Sequence, residues 1–290
     1  MSQSLRRAES LGAHLPPLLV AAERVAATVA GGVHGRRRVG QGDSFWQYRP
    51  FYPGDPATRI DWRVSARSDR TYLRETEWEA AQTVCLWRDS GPAMRWRSAG
   101  APDAKADRAG LILLALAALL LRSGERVRLL AQQGRAVSGK AGLERLAESL
   151  DRLPDDADGL PPQAEIPRHA SVVLIGDFLS PLAGIQARIA ALAATPASGT
   201  LLQVLDPAEA VLPYEGRVRF EGVSRSDTAL IPRVESVRGA YAERLAAQQH
   251  GLAAICTAVG WSFAVHRTDH PPESALLSLY TSLMPEPRRR

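Results

Sequence analysis

The 290-residue sequence has only two cysteines, Cys85 and Cys256. Two thiols cannot build a disulfide framework or a zinc site of several cysteines. A small domain held together by disulfide bonds or by such a zinc site is therefore excluded. We expect both cysteines to be buried core residues, Cys85 in a strand and Cys256 in a helix. Aromatic residues are scarce at 6%, but apolar residues reach 45%, which is enough for a substantial core.

Lysine is nearly absent. Only two of the 36 basic residues, Lys105 and Lys140, are lysines, which leaves 34 arginines and a net charge of +5. The arginines are dispersed apart from runs at 36–38 and 288–290, and such runs are usually solvated. Because the positive charge is dispersed, nonspecific nucleic-acid binding through the arginines ranks last among the functional hypotheses for this sequence. We expect no specific nucleic-acid partner.

No apolar run is a convincing membrane span. The N-terminal candidate, Leu15 to Val33, is interrupted by Glu23 and Arg24, and no clear small-residue cleavage site follows it. The most apolar run, Ala109 to Leu121, is too short to span a bilayer and is typical of a buried helix. The sequence therefore predicts a cytoplasmic protein without a transmembrane segment.

From about residue 83 onward, short apolar strands alternate with helices. Strands that are apolar on both faces indicate a mostly parallel, doubly wound sheet with helices on both sides, so we expect an α/β domain over residues 81–290. The stretch Gly216 to Gly222 alternates polar and apolar residues and predicts an edge strand or hairpin. The predicted strands are Thr83–Arg88, Arg126–Ala131, Ser171–Ile175, Thr200–Leu205 and Trp261–His266. The predicted helices are Asp103–Arg122, Ala141–Leu153, Pro181–Ala194, Val234–Ala258 and Glu273–Leu283.

Residues 1–80 have a different character. Leu18 to Val29 predicts a helix, Gly31 to Gly42 a loop rich in glycine and arginine, and Asp43 to Tyr52 is dense in aromatic residues. Because aromatic side chains bury large areas, we expect this N-terminal extension to pack on the main domain. Whether it is an independent domain stays open at this point.

Four predicted strands end close to an aspartate: Asp89, Asp177, Asp206 and Asp269. In an open parallel sheet, ligands bind beyond the carboxyl ends of the strands. One interpretation is that each aspartate caps a helix or begins a turn. The other, for Asp89 and Asp177 together, is a shared polar cleft.

Asp89 and its loop, the helix that follows, and Asp177 after a buried strand together resemble a von Willebrand factor A-type domain. Such domains carry a metal-ion-dependent adhesion site whose first loop holds two serines. Here Gly91 and Ala93 stand at the serine positions, and neither offers a side-chain oxygen. Since Mg²⁺ requires near-octahedral oxygen coordination, we expect a degenerate site with no bound metal, weak Mg²⁺ binding by the two aspartates being left open.

The segment upstream of the predicted α/β domain resembles the bacterial domain-of-unknown-function family 58. The resemblance covers most of the chain, from roughly Arg36 to Asp269. The resemblance implies partnership with a MoxR-type AAA+ ATPase, as an adaptor in the assembly or maturation of another complex. The acidic stretch with Asp206 and Glu209 also matches that family. The residues that carry the signature and form the candidate interaction site are Tyr52, Gly54, Asp55, Arg59, Asp61, Trp62, Arg67, Arg74 and Glu75.

Two interpretations of this signature segment remain open, and both can hold. In one, Asp55 or Asp61 clamps Arg59 or Arg67 in an internal network that fixes an irregular segment. In the other, the segment is a docking surface, because tryptophan, tyrosine and arginine are enriched at binding hot spots.

No Gly-x-Ser-x-Gly elbow, phosphate-binding loop or His-Glu-x-x-His motif occurs, so we predict no catalytic residues and no cofactor. His266 and His270 have a spacing seen among metal ligands, but a role in a turn is the simpler interpretation. The main hypothesis is a non-enzymatic interaction protein. The alternative is a divalent-metal-dependent binding module or hydrolase that uses Asp89 and Asp177.

Overall fold

The structure, a computed structural model, describes residues 25–27, 39–52, 55–77, 82–130, 135–153, 158–223 and 228–283. Its contacts separate Gly32–Ala81, a smaller compact unit, from a larger unit that contains Gln82–Arg290. Of the predicted helix Leu18–Val29, only 25–27 are described, and these three residues are helical. The packing predicted for the N-terminal extension stays a prediction.

The smaller unit is built on an antiparallel pair, β1 (Val39–Pro50) and β2 (Tyr72–Glu77). The connection between them holds a 3₁₀ turn, Ala57–Arg59, and a single helical turn, α1 (Trp62–Ser65). The loop predicted over Gly31–Gly42 is wrong at its end, since β1 already begins at Val39. Glycine and aspartate disfavour a strand locally, but pairing with β2 overrides that preference, with register shifts after Gly40.

The larger unit contains a five-stranded sheet in which every neighbouring pair is parallel. The strand order is β4-β3-β5-β6-β9. The strands are β3 (Thr83–Arg88), β4 (Arg126–Leu129), β5 (Ser171–Gly176), β6 (Ser198–Leu205) and β9 (Ser262–Arg267). This confirms the predicted α/β class, and the arrangement is consistent with the doubly wound fold that the von Willebrand resemblance implies.

Helices cover both faces of the sheet, which is why the central strands are apolar on both sides. One layer is centred on α2 (Lys105–Arg122), which packs against α3 (Lys140–Asp151) and α7 (Pro272–Leu283). The other pairs α4 (Leu182–Ala193) with α6 (Arg238–Ala258). Most of α2 is buried, as its apolar composition predicts. Among the described residues, no helix has the length and apolarity needed to cross a bilayer.

The segment between β6 and α6 holds a short helix, α5 (Pro207–Val211), and then an antiparallel hairpin. Its strands are β7 (Val218–Glu221) and β8 (Thr228–Ile231), and they form a sheet of their own. The hairpin predicted around Gly216 to Gly222 is therefore confirmed.

The core between the sheet and the α4–α6 layer includes both cysteines, fully buried as predicted. At its edge the Trp261 ring lies directly on the backbone of Gly199 in β6. A Cβ atom built on Gly199 would sit 2.1 Å from Cδ2 of that ring. No side chain fits in this space, so the glycine is required by the tryptophan.

We expect Gly199→Ala to destabilise the chain by about 1–3 kcal/mol, because the added methyl group must displace a packed indole. Chemical denaturation followed by tryptophan fluorescence measures the change. Gly239→Ala is the matched control, since nothing lies within 4 Å of a Cβ atom at this position of α6. It should be neutral or slightly stabilising. Equal effects of the two substitutions would contradict this account of the packing.

Candidate functional site

The strand order reverses between β3 and β5, and in open α/β sheets ligand sites form at such a switch point. The carboxyl ends of β3, β5 and β6 lie side by side there. They bring Asp89, Asp177 and Asp206 to one edge of the sheet. All three are buried, with exposed fractions of 6% or less.

Asp89 is held by the backbone of nearby glycines. Its Oδ1 accepts a hydrogen bond from the Gly91 N–H at 2.7 Å, and its side chain lies against Gly159 and Gly176. A Cβ atom on Gly176 would sit 2.9 Å from the Cβ of Asp89, so only glycine permits this approach. Ala93 lies in the short 3₁₀ turn Pro92–Arg95 and supplies no oxygen.

Asp177 pairs with the fully buried Lys105. The Lys105 ammonium donates to Asp177 Oδ2 at 3.0 Å and to Glu209 Oε1 at 2.5 Å. Lys105 is the first residue of α2, so the ion pair connects the start of that helix to the end of β5 and to α5. The two aspartates proposed to share a cleft thus have different partners: backbone groups hold Asp89, and a lysine holds Asp177.

Glu209 is positioned by a capping box at the start of α5. Asp206 accepts from the Ala208 N–H at 2.8 Å, and Glu209 Oε2 accepts from the Asp206 N–H at 2.9 Å. The second oxygen of Asp206 accepts from the Ser98 N–H at 2.8 Å. This confirms a capping role for Asp206 and leaves Oε1 of Glu209 directed at Lys105.

Neutral side chains hold the backbone around the ion pair. Gln203 donates to the carbonyl of Asp177 at 2.8 Å, and Gln249 donates to Gln203 at 3.1 Å. The Tyr241 hydroxyl donates to the carbonyl of Glu209 at 2.5 Å. Both carboxylates are therefore placed by groups other than the lysine.

Electrostatics at this site favour a charged lysine. Burial opposes the charge, but Asp177 and Glu209 outweigh it and raise the pKa of Lys105 above its usual value. Like burial, the helix dipole opposes a cation at the N-terminus of α2, and it favours the two carboxylates that face this end of the helix. Lys105 therefore stays charged because both carboxylates face it.

Lys105 and its pairing with Glu209 are the part of the site that sequence reasoning missed. Nothing in the local pattern marks a lysine as buried, because lysine usually lies at the surface. One signal was present: in a chain that uses arginine almost throughout, a lysine begins the helix that follows the Asp89 loop. A compact ammonium suits a small enclosed space where the planar guanidinium of arginine does not fit.

In the smaller unit, the signature segment is organised around two aspartates. Asp55 makes a bidentate pair with Arg49, with both distances 2.7 Å. Asp61 caps α1 by accepting from the Arg63 and Val64 N–H groups, and it also accepts from the hydroxyl of Tyr48. An ion pair therefore fixes this segment, but its described partners are Asp55 and Arg49, and the predicted clamp on Arg59 or Arg67 stays a prediction.

Two aromatic residues of the same segment face outward. Trp62 is 68% exposed and Tyr52 is 61% exposed. Trp62 follows the capping Asp61 directly, and the N–H of Tyr52 donates to Asp55 at 2.9 Å. Each aromatic residue is therefore attached to a fixed point of the backbone while its ring remains accessible.

The other predicted interaction residues are only partly described. Arg67 is exposed. Gly54 and the side chains of Arg59, Arg74 and Glu75 lie outside what the structure describes, so their predicted roles stay predictions.

The two histidines of the metal-like pair lie in different environments. His270 is exposed in a turn, as predicted, but His266 is a buried residue of β9. Its Nε2 atom has no hydrogen-bond partner in the described parts of the chain. Across those parts, no three histidine, cysteine, aspartate or glutamate residues are grouped as metal ligands.

We expect Lys105→Met to destabilise the chain by about 3–5 kcal/mol, because it leaves the buried Asp177 and the partly buried Glu209 without their cation. Urea denaturation measures the loss. The loss should shrink as the pH falls, since protonation neutralises the stranded carboxylates. Lys140→Met, at the exposed start of α3, is the control and should change little. Lys105→Arg should not restore the native stability; full restoration would contradict the account of the enclosed site.

His266 predicts a pH dependence of stability. Burial, followed by the nearby Arg108 and His270, lowers its pKa from 6.5 to about 4, despite an opposing contribution from Asp269. The unfolded chain therefore binds a proton that the folded chain refuses, and stability falls by about 3 kcal/mol as the pH drops from 6.5 to 4. His266→Phe should flatten this part of the stability–pH curve in denaturant titrations, whereas His250→Gln, at an exposed position of α6, should leave it unchanged. An unaltered curve for His266→Phe would contradict the assignment.

The sequence model of the family described as "Protein of unknown function DUF58" matches residues 47–251. No curated protein matches the chain.

Among solved structures, the chain resembles the conserved hypothetical protein BatB from Bacteroides thetaiotaomicron, at 13% identity and a TM-score of 0.36, over 70% of this chain and 97% of that one. It also resembles an aerotolerance-related membrane protein from Bacteroides fragilis NCTC 9343 with multiple mutations to serines, at 14% identity and a TM-score of 0.40, over 70% of this chain and 98% of that one. Likenesses this remote add nothing about function.

The family match spans most of the chain and includes the signature segment, the Asp89 loop, Asp177 and the Asp206 capping box. The chain belongs to the domain-of-unknown-function family 58.

Proposed function

We propose that this chain is a non-enzymatic protein-interaction scaffold. It acts in the cytoplasm as an adaptor of a MoxR-type AAA+ ATPase in the assembly or maturation of another complex. The kind of partner comes from the resemblance carried by the signature segment. The interaction role is supported by the geometry of that segment and of the sheet edge.

The observation that carries the proposal is the exposed pair Trp62 and Tyr52. Large aromatic side chains at a surface leave apolar area in water, and they are enriched at binding hot spots. Here the backbone beneath them is fixed by Asp61 and by the Arg49–Asp55 pair. An aromatic side chain on a fixed backbone has only two rotatable side-chain bonds to order when it binds, so this segment is suited to docking a protein.

The sheet edge supports the same conclusion from the other direction. Asp89 is held by the Gly91 N–H, Asp177 pairs with Lys105, and Asp206 caps α5. Carboxylates engaged in this way are not poised as general bases or nucleophiles. The alternative hypothesis, a metal-dependent module or hydrolase using Asp89 and Asp177, gains no support from these contacts.

We expect the purified chain to bind the MoxR-type ATPase of the same organism, and Trp62→Ala and Tyr52→Ala each to weaken binding roughly 10-fold or more. Biolayer interferometry with and without ATP measures the affinity. Both substitutions should leave the melting temperature nearly unchanged, because the side chains are exposed.

Leu230→Ala is the control for surface apolarity, since Leu230 is 50% exposed on β8, outside the signature segment. It should bind like the wild type. The proposal is overturned if the ATPase does not bind, or if the two aromatic variants bind it as tightly as the wild type does.

A further inference from the structure

The two acidic side chains that meet Lys105 come from different strand ends. Asp177 follows β5, and Glu209 lies in α5 after β6. Asp177 is buried, and Glu209 keeps 18% of its side chain exposed. Two carboxylates that converge in such a place repel each other and lose hydration, so a cation between them favours their ionised forms. The Lys105 ammonium occupies that place, at 3.0 Å from one carboxylate and 2.5 Å from the other.

We propose that Lys105 is the built-in cation of this site and takes the place of a divalent metal ion. In the native chain the site is closed and independent of metal. Once the lysine side chain is removed, Asp177 and Glu209 form a latent site for a hard divalent cation. The inference concerns this cluster alone and holds whichever protein binds the chain.

The carboxylates are oriented without help from the lysine. The other oxygen of Asp177 accepts from the Leu179 N–H at 3.3 Å, and the other oxygen of Glu209 accepts from the Asp206 N–H at 2.9 Å. The remaining oxygen of each is thereby left to face the ammonium. A pair of carboxylate oxygens facing one small space, completed by water, is a donor set that Mg²⁺ and Mn²⁺ accept.

The space between the two carboxylates is filled in the native chain, because the Lys105 ammonium bonds both of them and has no solvent-exposed surface. Its side chain enters as part of α2, so the cation is covalently tethered and is not lost by dilution or to a chelator. An incoming metal ion would have to displace a charged group already bound to both carboxylates. We therefore expect divalent cations to leave the stability of the wild type unchanged.

Melting scans with Mn²⁺, Mg²⁺ or EDTA test the proposal. The wild-type melting temperature should not change with any of the three. Lys105→Ala should melt lower in EDTA and recover about 4 °C with millimolar Mn²⁺. The double variant Lys105→Ala with Asp177→Asn should show no such recovery. Lys140→Ala, which removes the other lysine, should behave as the wild type.

Three results would overturn the proposal. They are a Mn²⁺-dependent rise in the wild type that EDTA reverses, a folded Lys105→Ala variant that does not respond to Mn²⁺, and a wild-type intact mass lower by one water. The last would mean that Lys105 and Asp177 are joined by an amide bond and that no ammonium exists. If Lys105→Ala does not fold in EDTA, its refolding is measured with and without Mn²⁺ instead. Refolding of the variant only with Mn²⁺ supports the proposal, and no refolding in either condition overturns it.

Discussion

The ion pair of Lys105 with Asp177 and Glu209 is the interaction on which the arrangement of the sheet edge depends. It connects the first residue of α2, the end of β5 and the start of α5. A buried charge is costly unless its partners are close and well oriented, and here both carboxylates are fixed by backbone N–H groups. Among the described helices, the most buried one therefore begins at a charge that the rest of the site must neutralise.

A neutralised sheet edge has a consequence for function. Enzymes of open α/β folds place reactive groups at this edge, with pKa values and exposure suited to chemistry. In this chain, Asp89, Asp177 and Asp206 are each held there by hydrogen bonds, and Lys105 has no exposed surface. The smaller unit is organised differently: its ion pair and helix cap fix the backbone next to the exposed side chains of Tyr52 and Trp62. The proposed function therefore assigns docking to the signature segment.

The sequence predicted the larger unit well because burial on both faces leaves a clear pattern. The run Ser171–Ile175 has no polar face and became β5 with one residue added. The β1–β2 pair was missed because Val39–Pro50 mixes glycine, charge and aromatics, and its strand character comes from pairing with a distant segment. Lys105 was missed for a related reason: which charged side chain turns inward depends on carboxylates more than seventy residues away.

The presence of Lys105 as the cation explains why the site tolerates Gly91 and Ala93, which have no side-chain oxygen. A divalent ion of the Mg²⁺ type needs about six oxygen ligands, and Gly91 and Ala93 supply none from their side chains. An ammonium has only three protons to donate, and two carboxylates already satisfy most of that need. With lysine as the cation, no side-chain oxygen of the Asp89 loop is required, because Asp177 and Glu209 accept from the ammonium. Gly91 instead uses its backbone N–H to hold Asp89. Glycine at position 91 and alanine at position 93 are therefore compatible with a site whose cation is a tethered ammonium.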